Sequence, residues 1–187
     1  MSHSRDQRIA IGKNYLYYVG VRNLPGGDVI EQVGKWDGSA SPMEPVDSGQ
    51  VFGSVYCCIT KPNSDELFIG GNITKIGRFN LTVNNVAYWD GDRWNSMGTN
   101  PFQEPVCNLA WYDRGKKLFA TAEYNNSNNL PKLAVWDQET NTWEEIVLPR
   151  RPSTQHKIVV DNSQGILYVM FSGFFYRYLI EEGTFEL

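Results

Sequence analysis

A repeat of about 50 residues constrains this chain more than any other feature. A strand-like segment that opens with Leu recurs at intervals of 51, 51 and 49 residues, beginning at Leu16, Leu67, Leu118 and Leu167. A later segment of each repeat carries one aromatic residue: Trp36, Trp89, Trp136 and Tyr178. Consecutive four-stranded antiparallel units, each too small to bury its own two faces, are typical of β-propellers. The sequence therefore predicts an all-β propeller.

The repeat boundaries predict four blades of four strands each, at about 8–46, 51–99, 104–150 and 156–187. We expect these blades to form a single domain, 8–187, behind a disordered tail at 1–7. The inner strands are apolar at nearly every position, which is typical of sheets covered on both faces. The outer strand of the first blade is predicted to be poor, because Ser41 and Pro42 stand where the later repeats have a Trp. Three arrangements stay open: a closed four-bladed ring, two chains that pair into a larger ring, or part of a longer propeller.

An Asp follows the recurring aromatic in three of the four repeats, at Asp37, Asp90 and Asp137. An Asp at the start of a turn accepts hydrogen bonds from backbone amides two residues on, so we interpret these residues as turn formers. The competing interpretation, a ring of metal-binding carboxylates, is disfavoured because the fourth repeat has Leu179 at this position. The aromatic residues themselves, Trp36, Trp89, Trp136 and Tyr178, are predicted to pack between blades, with a sugar-stacking platform as the alternative.

The pattern LFIGG…NVAYWDG…W…MG in the second repeat, with the pair Gly70-Gly71, resembles kelch-type repeats. It is similar to the galactose-oxidase-type propeller repeats of large surface and cell-polarity proteins. The resemblance covers all four repeats, although the Gly pair is lost in the third and fourth. It implies a propeller fold and says little about function. The Trp-Asp dipeptides also resemble WD40 repeats, but no Gly-His precedes them.

Residues suited to catalysis are scarce, and we therefore predict that the chain is not an enzyme and has no cofactor and no metal. The copper site that the galactose-oxidase resemblance implies needs two His, two Tyr and a Cys. The chain has two His, His3 and His156, and His3 lies in the tail that is predicted to be disordered, so no such site is expected. Nucleophile-elbow, zinc-protease and phosphate-loop patterns are missing from the sequence. A copper oxidase-like enzyme is accordingly the least favoured function.

The loops between the second and third strands of the first three blades are predicted to be long, at 23–32, 72–84 and 125–132. Binding residues concentrate on such loops. Within the second loop, Ile76, Arg78 and Phe79 are our candidates for contact with a partner, because aromatic and Arg side chains are enriched at interface hot spots. The competing interpretation is that Phe79 folds back over its own blade. These observations predict a non-catalytic module that presents its loops to a protein partner, with a glycan-binding or cell-surface propeller as the alternative.

Charge and composition indicate which classes of partner the chain could bind and in which compartment it is expected. The net charge is −4 and neither sign forms a long run, so nucleic acid is not expected. The one basic cluster is interpreted as a solvated loop between repeats: Arg150, Arg151, His156 and Lys157. No apolar run is long enough to span a bilayer and no signal peptide is evident, which predicts a cytoplasmic protein, or an extracellular one if the chain belongs to a longer secreted protein. The sequons at Asn72, Asn80 and Asn125 would matter only in the second case. Cys57, Cys58 and Cys107 are expected to be buried free thiols. A homodimer formed through blade edges is a further expectation.

Overall fold

The computed structural model describes residues 8–23, 29–39, 42–122, 133–149, 157–171 and 173–186. The described residues form antiparallel β-sheets, and the chain divides into two compact units. The first unit is Met1–Met97 and the second is Gly98–Leu187. The all-β prediction is confirmed. The prediction of one domain over 8–187 is not tested by this division and stays a prediction.

The first unit contains a single eight-stranded sheet with the strand order β1-β2-β3-β4-β5-β7-β8, in which β6 pairs with β5. Its strands are β1 (Ile9–Ile11), β2 (Leu16–Asn23), β3 (Val29–Trp36), β4 (Glu44–Thr60), β5 (Leu67–Ile76), β6 (Leu81–Thr82), β7 (Val86–Trp89) and β8 (Trp94–Ser96). The sequence predicted two separate blades here. The structure instead joins the first two repeats through β4, which is both the last strand of one repeat and the first strand of the next.

β4 can serve both repeats because it bends without losing its partners. Its first part pairs with β3 and its second part with β5, with irregular register between Phe52 and Gly53 and between Val55 and Cys57. Gly53 has a φ of 123°, and a Cβ at this position would collide with the carbonyl oxygen of Asn72. Bulges of this kind sharpen the local twist of a strand. The poor outer strand predicted for the first repeat is therefore the start of a 17-residue strand.

The core of the first unit lies between the two halves of its sheet. Apolar side chains of β1–β3, such as Tyr17 and Val33, belong to the same buried cluster as Leu67, Ile69 and Trp89 of β5 and β7. Alternate residues of β1 show the pattern, since Ala10 is 6% exposed while Ile9 and Ile11 are 64% and 78% exposed. The sheet thus buries one face of each half against the other.

The second unit contains two separate four-stranded sheets. The first has the order β12-β11-β10-β9 and the second the order β13-β14-β15-β16. Their strands are β9 (Val106–Tyr112), β10 (Lys117–Ala122), β11 (Leu133–Asp137), β12 (Thr142–Ile146), β13 (Lys157–Asp161), β14 (Ile166–Phe171), β15 (Phe174–Leu179) and β16 (Thr184–Glu186). These two sheets match the predicted four-stranded blades of the third and fourth repeats.

The two sheets of the second unit share a core and are also joined by hydrogen bonds. Phe119 and Leu133 of one sheet cluster with Leu167 and Val169 of the other. The Tyr112 hydroxyl donates to Glu181 Oε1 at 2.5 Å. Burial is the main cause of the raised pKa of Tyr112, and the Glu181 hydrogen bond adds to it. The Tyr112 phenol therefore remains a donor to Glu181 at neutral pH.

Candidate functional site

The predicted partner-binding residues lie at a hairpin between β5 and β6. Ile76 is the last residue of β5 and is buried at 1% exposure, whereas Phe79 is 88% exposed at the tip. Asp47 of β4 fixes the hairpin, because its carboxylate accepts the Arg78 amide at 2.8 Å and also pairs with the Arg78 guanidinium. Arg78 and Phe79 are thus together on the surface, and Ile76 is not. Phe79 does not fold back over its blade.

The long loops predicted beside this hairpin are mostly not loops where the structure describes them. β5 continues through residue 76 and β6 takes up 81–82, so the predicted loop at 72–84 is largely a two-stranded extension of the sheet. Of the predicted loop at 23–32, residue 23 and residues 29–32 belong to β2 and β3, and 24–28 lie outside the described residues. The predicted loop at 125–132 lies wholly outside them.

The recurring aromatic residues differ in their burial. Trp89 and Trp136 are 5% and 1% exposed, while Trp36 and Tyr178 are half-buried. Trp94 is buried too, with its ring edge-on to Trp89 at a centroid distance of 5.6 Å. A sugar-stacking role therefore has no accessible surface at Trp89, Trp94 or Trp136 and remains open only at Trp36 and Tyr178.

The recurring Asp residues make the hydrogen bonds that the turn interpretation predicts. Asp90 Oδ1 accepts the amides of Asp92 and Arg93 at 2.9 and 2.8 Å. Asp137 Oδ1 accepts the amides of Glu139 and Thr140, and the Thr140 amide is the main cause of the lowered pKa of Asp137. Turn formation thus accounts for these two carboxylates.

A pocket of about 200 Å³ lies where β3 ends and β4 begins, and we call it the Lys35 pocket. It is lined by Tyr15, Lys35, Trp36, Asp37, Pro42 and Glu44. The antiparallel register places Lys35 opposite Tyr17 of β2 and opposite Glu44 of β4. Clefts for drug-sized ligands measure about 300–1,000 Å³, so this pocket suits a single small unit of a larger ligand.

The Lys35 pocket combines a cation, aromatic surface and carboxylates. Lys35 Nζ lies 4.5 Å from the centroid of the Tyr15 ring. The Trp36 indole is oriented by its Nε1, which donates to the carbonyl oxygen of Ser39 at 2.8 Å. Asp37 is exposed, and its hydrogen bonds to Ser39, chiefly the one from the side chain, lower its pKa. The pocket can therefore offer an ammonium donor, a ring face and ionised acceptors to a polar ligand.

Sequence reasoning missed Tyr15, Lys35 and Glu44 and assigned Trp36 and Asp37 to packing and turn formation. The missing signal was the register of β3 against β4. The segment SPMEPV was predicted as a poor outer strand, but its register against β3, which places Glu44 opposite Lys35, could not be read from the sequence.

A second pocket, of about 220 Å³, lies between the two sheets of the second unit. It is lined by Lys117, Phe119, Val135, Glu144, Tyr178, Ile180, Glu181, Glu182 and Gly183. Burial is the main cause of the raised pKa of Tyr178, and Glu144 contributes. Three carboxylates against one ammonium make this pocket less suited to an anionic ligand than the Lys35 pocket.

Metal binding has no support in the part of the chain that the structure describes, where no three His, Cys, Asp or Glu side chains form a metal-binding group. His3 and His156 lie outside the described residues. Cys57, Cys58 and Cys107 form no disulfide with one another, and the first two are buried while the third is half-buried. Among the described residues, no helix has the length and apolar character needed to cross a membrane.

Comparison with known proteins identifies a fold but no family. No protein-family model matches the chain, and no curated protein matches its sequence. An oligogalacturonate lyase solved in complex with manganese is similar over 95% of this chain and 51% of its own, with a TM-score of 0.63 and 15% identity. An oligogalacturonate lyase from Vibrio parahaemolyticus is similar over 96% of this chain and 52% of its own, with a TM-score of 0.61 and 12% identity.

A GH74 xyloglucanase from Xanthomonas campestris is similar over 95% of this chain and 37% of its own, with a TM-score of 0.51 and 10% identity. The chain thus spans about half the length of the two lyases. At these identities the likeness shows the fold alone: the chain is all-β, and these neighbours are proteins of the β-propeller type. Kelch-type repeats are not shown by it.

The comparison corrects the predicted function. The chain was expected to be a non-catalytic module for a protein partner and not an enzyme, and its two lyase neighbours are enzymes. That expectation is wrong by this comparison. It relied on missing catalytic motifs, yet a scaffold of this type collects functional side chains from loops far apart in the sequence, where no contiguous motif is needed.

Proposed function

We propose that the chain forms blades of a β-propeller that acts on an acidic oligosaccharide and holds one uronic acid unit in the Lys35 pocket. The observation that carries the proposal is the meeting of Lys35, Tyr15 and Trp36 with two carboxylates in a pocket of about 200 Å³. Two neighbours are named for oligogalacturonate and a third for xyloglucan. Those names guide the choice of substrate class and assign no activity to this chain.

Each group in the pocket has a task suited to such a ligand. The Lys35 ammonium would pair with the carboxylate of a uronic acid, a charge-assisted hydrogen bond that a neutral sugar cannot make. The half-buried ring of Tyr15 or Trp36 would cover the apolar face of the sugar ring. Asp37 and Glu44 would accept hydrogen bonds from its hydroxyl groups. The proposal assigns this pocket to binding and not to bond cleavage.

We also propose the finer architecture. The eight-stranded sheet represents two blades that share β4, and the sheets of the second unit represent two more, with repeats of the kelch type. The ring to which these blades belong is larger than four blades, in keeping with neighbours about twice as long as this chain.

Arg78 and Phe79 are proposed as a second contact for the same ligand. Phe79 is 88% exposed, and the centre of the Arg78 guanidinium lies 5.8 Å from the centroid of its ring. An aromatic face beside a cation is a further arrangement that suits an acidic sugar. Ile76, buried in the core, would only support the hairpin.

Calorimetric titration with galacturonate oligomers, with xyloglucan oligomers as the neutral comparison, tests the proposal. We expect the acidic oligomers to bind and the Lys35→Gln variant to bind them about tenfold more weakly, the loss of one charged hydrogen bond. Lys117→Gln, in the second pocket, is the matched control and should bind as the wild type does. Equal binding of neutral and acidic oligomers, or wild-type affinity in Lys35→Gln, would refute the proposal.

Catalysis is tested separately by following the ultraviolet absorbance of the unsaturated ends that a lyase produces from galacturonate oligomers. Absorbance that increases with time supports action on this substrate class. Binding without any increase would limit the function of the chain to holding the oligosaccharide.

A further inference from the structure

The last sheet of the chain has an apolar face that is open to solvent. Successive residues of β13–β16 alternate between two faces, and the face with Leu167 and Val169, both 0% exposed, is packed against the sheet β9–β12. The other face, which we call the outer face, carries Val159, Met170 and Phe175 at 60%, 36% and 76% exposure. Three exposed apolar side chains on three neighbouring strands form a patch of the kind that marks an interaction site.

The central charges of the outer face are paired, and Lys157 and Asp161 lie on the same face only at the two ends of β13, opposite Met170 and Ile166. The register brings Arg177 of β15 opposite Glu186 of β16, and the two side chains form an ion pair. Val159 and Tyr168 continue the same row of the sheet. A charge that is buried together with its partner costs far less than an isolated one. The outer face is therefore ready to be covered by an apolar surface.

The first strands of the chain present a matching surface. Ile9 and Ile11 of β1 are 64% and 78% exposed, and Tyr18 lies opposite Ile9 in the register of β1 with β2. We call this surface the β1 face. The reverse side of the same strands is buried in the core of the first unit. Each face is thus the reverse of a packed surface: the outer face backs a sheet packed on β9–β12, and the β1 face backs one half of a sheet packed on its other half.

We propose that the outer face docks on the β1 face of a second copy of this chain. Two sheets that pack face to face bury their apolar rows about 10 Å apart, and both surfaces supply such rows. The lyases of similar fold are about twice as long as this chain, and a second copy docked at these faces would assemble a similar total length. This contact joins sheet faces and not strand edges, and it does not depend on the proposed substrate.

Light scattering coupled to size-exclusion chromatography of the 21.3 kDa chain tests the contact. We expect a dimer whose dissociation constant is raised about 30-fold or more by Phe175→Asp and by Ile9→Asp, as for a buried hot spot. Val147→Asp is the matched control, because Val147 is 84% exposed, follows β12 and belongs to neither the outer face nor the β1 face. Circular dichroism should show that all three variants are folded, since each changed side chain is exposed.

Mixing the variants distinguishes this pairing from any other. Phe175→Asp keeps an intact β1 face and Ile9→Asp keeps an intact outer face, so their mixture should associate more tightly than either variant alone. A mixture that stays as dissociated as its components would refute the pairing of these two faces. A monomeric wild-type chain at the highest attainable concentration, or a dimer indifferent to both variants, would also overturn it.

Discussion

The two units link their neighbouring repeats at the same place but differ in how the strands run between them. In the first unit the Asn14 amide donates to Asp65 Oδ1 at 2.9 Å, and in the second the Asp113 amide donates to Asn162 Oδ1 at 2.7 Å. The paired residues are 51 and 49 positions apart, one repeat in each case. In the first unit the two repeats are also connected by a continuous strand, β4, whereas in the second unit β12 ends before β13 begins. The turn-to-turn hydrogen bond is therefore common to both units, and the shared strand is particular to one.

The residues between repeats explain the difference. β4 has its only Pro at position 45, near its start, and bends at Asp47, Gly49 and Gly53, which all have positive φ values. Bends of this kind let pairing pass from β3 to β5. In the second unit, β12 ends at Ile146 and is followed by Pro149, and Pro lacks the amide that a continued ladder needs.

The largest loss of stability should come from truncating one buried Trp in each unit. Trp89→Ala removes a side chain that is 5% exposed and packs edge-on against Trp94, and Trp136→Ala removes one that is 1% exposed. Each change should lower the free energy of unfolding by about 3–5 kcal/mol. If the units are separate folding units, hydrogen exchange should accelerate mainly in β5–β8 for Trp89→Ala and in β9–β12 for Trp136→Ala. Equal acceleration in both units for both variants would remove the distinction between them.

The second effect concerns the bend that is present only in the first unit. Gly53→Ala should cost more than about 1 kcal/mol, because φ at this position is 123° and the new methyl would meet the Asn72 carbonyl. Gly91→Ala is the matched control, since φ there is 106° but nothing lies within 4 Å of the added Cβ. Urea denaturation of the two variants should therefore show the larger loss for Gly53→Ala. Equal losses would mean that backbone strain alone, and not the close approach of β4 and β5, limits this position.

A smaller effect is expected where the bend of β4 holds the neighbouring hairpin. Asp47→Asn keeps a side chain that tolerates the φ of 58° but removes the charge that pairs with Arg78. Loss of this charged hydrogen bond should cost about 1–2 kcal/mol, and Phe79 at the tip should become more mobile. NMR relaxation of residues 77–80 measures that mobility. An unchanged hairpin in Asp47→Asn would show that the pairing of β5 with β6 holds it without help from β4.

The sequence predicted the repeat, the all-β class and most strand positions because period and turn residues are local signals. Asp90 and Asp137 were interpreted correctly as turn formers, since a side chain that binds an amide two residues on needs no tertiary information. The continuity of β4 was missed, because whether residues 44–50 pair with β3 depends on register and not on propensity. The Lys35 pocket was missed for the same reason, as Lys35 and Glu44 meet only when that register forms.

The smallest expected difference between the two units is in their stability at alkaline pH, where the first unit should weaken before the second. Burial raises the pKa of Cys58 in the first unit from 9.0 to about 12. Because the folded pKa is the higher one, the stabilisation is complete below pH 9 and is lost as the pH rises toward 12. Among the described residues of the second unit, the pKa is raised for Tyr112 and Tyr178, from 10.0, and for Lys116, from 10.5. Between pH 9 and 10 mainly the first unit should therefore weaken, by about 1 kcal/mol at pH 10. Thermal melts of wild type and Cys58→Ala at pH 8 and pH 10 measure this, and the variant should lose less stability over that interval. An equal loss in both proteins would mean that Cys58 is not the group that titrates.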